Sequence, residues 1–165
     1  MNSELKKLNP LTAIVLGASG RGKLYGDYSL EHPADLSIVG IAELVPLRRD
    51  MYGDKYNVPI ANRLATWEEL LARPKFADAV IIATPDHLHY TPCMKALELG
   101  YDILLEKPIA QTEKQCRDLV AYALAVNGGD AKGAPTTERL IPPMLERFIA
   151  TDRAFAKARK TPQTG

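Results

Sequence analysis

The sequence predicts an α/β protein, a doubly wound parallel sheet of the Rossmann type forming a single domain with one added helix near its C-terminal end. Three observations carry this. Strand-like and helix-like segments alternate from residue 11 to residue 126. Two of the strand segments, "ADAVIIATP" and "YDILLE", are apolar without alternation, as strands buried on both faces of a parallel sheet are. A loop with three glycines, "GASGRG" (Gly17–Gly22), follows the first strand and opens a helix. In open parallel sheets ligands bind at such strand-to-helix turns, outside the carboxyl ends of the strands.

The elements follow in order. Residues 12–16 form the first strand, 22–30 a short helix, and 36–42 ("LSIVGIA") the second strand. Residues 46–55 are helical until "YNVP" stops them, and a weak third strand lies near Ile60. "TWEELLA" starts a helix with an N-capping threonine and acids in its first turn. "ADAVIIATP" is the fourth strand, "HYTPCMKALELG" a helix closed by Gly100, and "YDILLE" a buried fifth strand. "TEKQCRDLVAYALAV" is a long helix whose apolar residues Cys116, Leu119, Val120, Ala123 and Leu124 recur at i, i+3, i+4. After this the pattern fails. Residues 1–10 read as an extension, 11–127 as the sheet domain, and 128–142, rich in Gly and Pro, as a linker. Residues 143–165 read as a helix and tail, with Met144, Leu145, Phe148, Ile149 and Phe155 on an apolar side expected to pack on the sheet domain.

Composition narrows the function classes. With 165 residues, 46% hydrophobic and 25% charged, the chain is long enough for one well-cored domain. A net charge of +1 gives no electrostatic reason to bind nucleic acid or an anionic membrane. No apolar run reaches the length of a membrane span. The opening "MNSELKKLNP" has no apolar leader core. Cys93 and Cys116 are far apart and lack metal-ligand spacing, so two reduced thiols, a cytoplasmic location and no metal are expected.

The glycine loop departs from the dinucleotide fingerprint G-x-G-x-x-G, because Ser19 replaces the middle glycine and Gly20 is added. It still supplies small residues, backbone N–H groups and a helix start, which together suit a phosphate. Glu43 lies 21 residues beyond Gly22, at the end of the second strand. A carboxylate there suits both hydroxyls of an adenine ribose and repels a 2′-phosphate, favouring NAD over NADP. Arg48 and Arg49 follow closely and pull the other way. Lys107, at the end of the fifth strand, is a candidate for chemistry. His87 and His89, two residues apart, do not make a metal site, and His89 reads as a cofactor-side or helix-capping residue. His32 reads as surface.

With these residues placed, the chain resembles the N-terminal half of the Gfo/Idh/MocA oxidoreductase family, which includes glucose–fructose oxidoreductase and inositol dehydrogenase. The likeness covers residues 11 to 126 and rests on "GASGRG", "IAELVPLRRDMYGDKYNVP", "TWEELL" and "DAVIIATPDHLHYTPCMKALELGYDILLEKPIAQTEKQC". It implies NAD(P)-dependent hydride transfer on a sugar or polyol. It implies that Gly17, Ser19, Gly20, Arg21 and Gly22 hold the cofactor phosphates and that Glu43, with Arg48 nearby, meets the ribose. Thr84, Pro85 and His89 would line the cofactor, together with Glu106, Lys107 and Pro108 of the "EKP" motif. Lys107 would sit near the nicotinamide and the substrate hydroxyl, as the one catalytic group of an incomplete set, and a cis bond before Pro108 would aim it inward.

The chain departs from that family in length. Members carry a second domain that supplies the substrate pocket and a catalytic histidine, and this sequence has no histidine after His89. "FIATDRAFAKARKT" resembles the helix that ends full-length members, as if the middle had been deleted. A truncated oxidoreductase domain, inactive alone, is therefore expected. The alternative is a non-catalytic NAD(H)-binding sensor or interaction module that self-associates or partners a full-length relative. A dihydrodipicolinate reductase-like enzyme is disfavoured by "EKP" and "TPDHLH".

Overall fold

A computed structural model describes residues 9–126. The chain divides into two units, Met1–Asn127 and Gly128–Gly165. The expected linker and closing helix lie outside the described residues, as does the expected packing of that helix on the sheet domain.

Five parallel strands form one sheet in the order β3-β2-β1-β4-β5. They are β1 (Leu11–Leu16), β2 (Leu36–Ala42), β3 (Arg63–Leu64), β4 (Ala79–Ile82) and β5 (Asp102–Leu105). The connecting helices are α1 (Gly20–Glu31), α2 (Pro46–Lys55), α3 (Trp67–Leu71) and α4 (Tyr90–Glu98), and α5 (Glu113–Val126) follows β5. Strand order reverses between β1 and β4, so the loops after these two strands face each other across a crevice.

Period-two alternation feeds two cores, one on each face of the sheet. Ile14 and Leu16 of β1 join Val80 and Ile82 of β4 against Leu70 of α3, Ala96 of α4 and Leu119 of α5. On the other face Ala13, Val15 and Ile81 meet Ile38, Tyr52 and Tyr56. All four of these β1 side chains are fully enclosed. A large aliphatic side chain removed from water in this way contributes about 1.5–3 kcal/mol, which accounts for the uniformly apolar strands. α1 packs differently. Its buried residues are Gly22, Gly26 and Ser29, so it approaches the sheet through small side chains rather than an apolar stripe.

Several boundaries differ from those expected. α1 begins at Gly20, two residues early, because Ser19 rather than a glycine is the N-cap. Ile60 lies in a 3-10 turn, Ile60–Asn62, and the third strand follows it at Arg63. The Asn62 amide fixes that turn by donating to the Val39 carbonyl at 2.8 Å. α3 has the expected N-capping threonine and adds a full capping box, in which Thr66 Oγ1 accepts from the Glu69 N–H and Glu69 Oε2 accepts from the Thr66 N–H. Such a cap contributes about 1 kcal/mol to a helix otherwise too short to persist. Gly100 closes α4 with φ +75°. β5 is not buried on both faces: it ends the described sheet, and Asp102 and Leu104 are exposed. On α5, Leu119 is enclosed but Val120 and Leu124 are exposed, so its apolar stripe is only partly used. None of the described helices is long and apolar enough to cross a membrane.

Candidate dinucleotide-binding site

The turn out of β1 is set by close backbone approach. Gly17 has φ +97°, and a Cβ there would lie 2.7 Å from the Ala83 carbonyl oxygen at the end of β4. A Cβ on Gly22 would lie 2.0 Å from the Gly17 carbonyl oxygen. Both positions therefore require glycine. Gly20 does not, because nothing lies within 4 Å of its Cβ position. The added glycine leaves open space, whereas the outer two glycines of the fingerprint make the fold.

The N-terminus of α1 is left unsatisfied. The Gly17 N–H donates to the Ala42 carbonyl at 2.9 Å, and the Ala18 N–H donates to Glu43 Oε2 at 2.9 Å. The first N–H with an intrahelical partner is that of Lys23, bonded to the Ser19 carbonyl. Gly20, Arg21 and Gly22 have no such partner by helix geometry. Ser19 makes no side-chain capping bond, and no acid occupies the first turn. Three N–H groups without intrahelical partners at the positive end of a 12-residue helix, beside open space at Gly20, suit an anion such as a diphosphate.

Glu43 is held against this loop with its side chain 10% exposed. Besides the Ala18 N–H on Oε2, Oε1 accepts from the Val45 N–H at 3.0 Å. A carboxylate has about four acceptor sites, so two remain for ribose hydroxyls. Arg48 Nε stands 3.9 Å from Oε1, and Arg49 is turned to the Glu43 carbonyl, to which it donates at 2.9 Å. The exposed Arg48 interaction is too long and too solvated to neutralise the carboxylate.

The other end of the crevice is a cavity of about 240 Å³ lined by Ser19, Arg21, Thr84, Pro85, Glu106 and Lys107, together with Asp86 and His89. The structure thus brings residues of the glycine loop, the β4 turn and the "EKP" turn to one place. Glu43 and Arg48 lie outside that cavity and connect to it through the loop. A larger cavity of about 360 Å³ between α3 and α4 contains none of these residues.

Lys107 is exposed, precedes Pro108 through a cis peptide bond, and forms no ion pair among the described residues. Glu106 is anchored instead. Its N–H continues the sheet to the Ile82 carbonyl, and its carboxylate accepts from the Tyr25 hydroxyl at 2.5 Å and faces Arg21 Nε at 3.8 Å. The Tyr25 hydrogen bond holds the Glu106 carboxyl below its ordinary range, with Arg21 acting in the same direction. The same bond, then burial, raises the Tyr25 phenol. Tyr25 and Tyr52 are contributors that the sequence reading missed. Tyr52 is buried and donates to the Gly22 carbonyl at 3.0 Å, fixing the start of α1. Nothing in the local sequence gives either hydroxyl a partner, so only a three-dimensional contact identifies them.

His89 is fully buried. Its Nδ1 lies 2.8 Å from the Pro108 carbonyl oxygen and its Nε2 lies 2.9 Å from the Thr84 carbonyl oxygen. The expected helix cap is not formed, since the side chain bonds no N–H of α4. Cys93 is enclosed and its thiol is pushed up to about 11 by burial, which leaves it an inert core residue.

The sequence profile of an oxidoreductase family with NAD-binding Rossmann fold matches residues 11–127. The chain belongs to this family. A second profile, of a family of unknown function, matches residues 110–160 and overlaps the first across α5. Inositol 2-dehydrogenase 1 of Saccharopolyspora erythraea is 42% identical over 48 residues, which are 29% of this chain and 14% of that protein. D-xylose 1-dehydrogenase (NADP(+)) of Hypocrea jecorina is 40% identical over 65 residues, 39% of this chain and 16% of that protein. The crystal structure of an inositol dehydrogenase homologue from Azotobacter vinelandii, complexed with NAD+, superimposes with a TM-score of 0.65 at 24% identity. That match covers 77% of this chain and 34% of the other. The chain thus spans about a third of that structure and less of the curated relatives.

The glycine geometry separates fold from ligand space. Gly22→Ala should lower unfolding free energy by about 3 kcal/mol or more, because the methyl group meets backbone that cannot move aside. Gly20→Ala should leave it unchanged or slightly higher, as alanine is the better helix residue. Urea unfolding of the two variants beside wild type checks this, and equal losses would contradict it.

Proposed function

We propose that this chain is the NAD(H)-binding part of an oxidoreductase that acts by hydride transfer on a sugar or polyol, and that the 165-residue chain does not complete the reaction alone. The observation that carries the binding reading is the open N-terminus of α1 beside a carboxylate, Glu43, that two backbone N–H groups hold in place. In this reading the N–H groups of Gly20, Arg21 and Gly22, with the Ser19 hydroxyl, hold the diphosphate. Glu43 accepts the ribose hydroxyls and Arg48 flanks it. Thr84, Pro85, Glu106, Lys107 and Pro108 shape the far end of the crevice. When bound there, the nicotinamide supplies the hydride acceptor or donor. Lys107 places a positive charge where the substrate hydroxyl would lose its proton and assists that transfer. Two free cysteines, one of them buried, suit the reducing cytoplasm.

One observation favours a second reading. Residues 110–160 match a family other than the oxidoreductases, which supports a composite chain over an oxidoreductase with its middle deleted. A cofactor-binding module joined to a segment of different descent, acting as a sensor or as partner of another protein, accords with that match.

Cofactor choice follows from Glu43. NADH at a hundred times its dissociation constant should stabilise the fold by about 2.7 kcal/mol. NADPH should give a smaller effect, because its 2′-phosphate meets the Glu43 carboxylate. Thermal shifts with the two cofactors check this, and a shift with NADPH but none with NADH would overturn it.

Turnover is the second test. Hydride transfer needs the alcohol carbon held against the ring while a base takes the hydroxyl proton. In this reading Lys107 assists, and its exposed position on the cavity leaves water around it. Loss of positioning costs several kcal/mol of barrier, at about 1.4 kcal/mol per tenfold in rate. NADH formation from a panel of sugars, inositols and sugar phosphates should stay below about 1 per second, a low value for an enzyme. Faster turnover that disappears in Lys107→Ala would refute the claim.

A further inference from the structure

His89 has two ring nitrogens and two partners, and both partners are backbone carbonyl oxygens. Pro108 O lies 2.8 Å from Nδ1 and Thr84 O lies 2.9 Å from Nε2, each at ordinary hydrogen-bond length. Carbonyl oxygens only accept. A neutral imidazole has one N–H, so it can satisfy one of them and must turn a lone pair towards the other. The ring is fully buried. It cannot relieve that opposition by meeting solvent, and exchanging the tautomer only moves the conflict to the other end.

We propose that His89 is a positioning residue held as an imidazolium, donating one hydrogen bond to the Thr84 turn and one to the Lys107–Pro108 turn. The two turns leave adjacent strands, β4 and β5, and form two walls of the cavity that contains Lys107. Pro108 directly follows Lys107, so a bond to the Pro108 carbonyl restrains the backbone from which the lysine side chain extends. The clamp therefore sets the separation of the cavity walls and the point from which the ammonium reaches in.

The surroundings are compatible with a cation. Asp86, Glu106 and the exposed Lys107 are the charged groups that line the same cavity. His87 is exposed on the turn before α4, and Tyr90 is directed to Asp118 on α5 at 3.4 Å. None of these groups hydrogen-bonds to the His89 ring. The two carbonyl dipoles supply the compensation that a buried charge requires.

What the clamp serves rests on the reading of Lys107 given above, but the clamp can be tested without cofactor or substrate. The chain has three histidines, and His32 and His87 are both exposed. Long-range proton–nitrogen spectra of the ¹⁵N-labelled full chain at pH 7, assigned with His32→Gln and His87→Gln, report the state of each ring nitrogen. For His89 both nitrogens should show protonated-type shifts, with ring N–H protons that exchange slowly with deuterated water. An unprotonated nitrogen on His89 at pH 7 would overturn the proposal, since one turn would then be untied. His89→Leu supplies a second readout. A folded variant should bind NADH at least tenfold more weakly and show altered amide shifts at both the Thr84 and Lys107 turns. Movement at neither turn would also overturn the proposal. If NADH fails to bind wild type while both nitrogens are protonated, the clamp stands and the cofactor reading fails.

Discussion

The structure depends on one close approach, that of Gly22 in α1 to the Gly17 carbonyl at the end of β1. A chain leaving a central strand must turn sharply if the following helix is to lie back on the sheet. Here the turn occupies three residues, and its backbone sits so near the helix that no side chain fits between. Two consequences follow from that single contact. The helix start is brought over the carboxyl ends of β1 and β4, and its first N–H groups are left facing the crevice. Packing and function share one cause: glycines that let α1 lie close to the sheet also expose its positive end.

Other elements then hold this helix in place. Tyr52 from α2 bonds the Gly22 carbonyl, Tyr25 reaches from α1 to Glu106 after β5, and Glu43 after β2 takes the Ala18 N–H. Each tether joins the glycine loop or α1 to a different element, so the loop is positioned from three sides. Preorganisation of this kind reduces the ordering cost of binding. Glu106, held by Tyr25 and Arg21, is the residue next to Lys107, so the start of α1 and the turn after β5 are linked through these side chains.

Much of this was legible in the sequence, and for physical reasons. The apolar strands, the N-capping Thr66 and the closing Gly100 are local signals, and each appears where expected. The "GASGRG" loop and Glu43 stand out in the sequence by residue type and spacing, and the structure brings them together through the Ala18–Glu43 hydrogen bond. Context decided the rest. The third strand shifted from Ile60 to Arg63 because Asn62 found a carbonyl on β2, a contact without local signature. β5 looked buried from its composition, but position in the sheet order, not composition, sets exposure. His89 read as a cofactor or capping residue, whereas its two carbonyl partners come from segments 5 and 19 residues away in sequence. The expected likeness of the closing segment to full-length oxidoreductases now stands beside a match of residues 110–160 to another family.

The central claim is that the open N-terminus of α1 is the cofactor's anchoring point. Titrating NADH into the ¹⁵N-labelled chain and following backbone amides tests it most directly, because the N–H groups in question are themselves the reporters. The account predicts the largest shifts at Ser19, Gly20, Arg21 and Gly22, with Ala18 following as Glu43 takes on the ribose. Saturable shifts confined to the α3–α4 cavity around Trp67 and Met94, or no shift at residues 19–22, would contradict it.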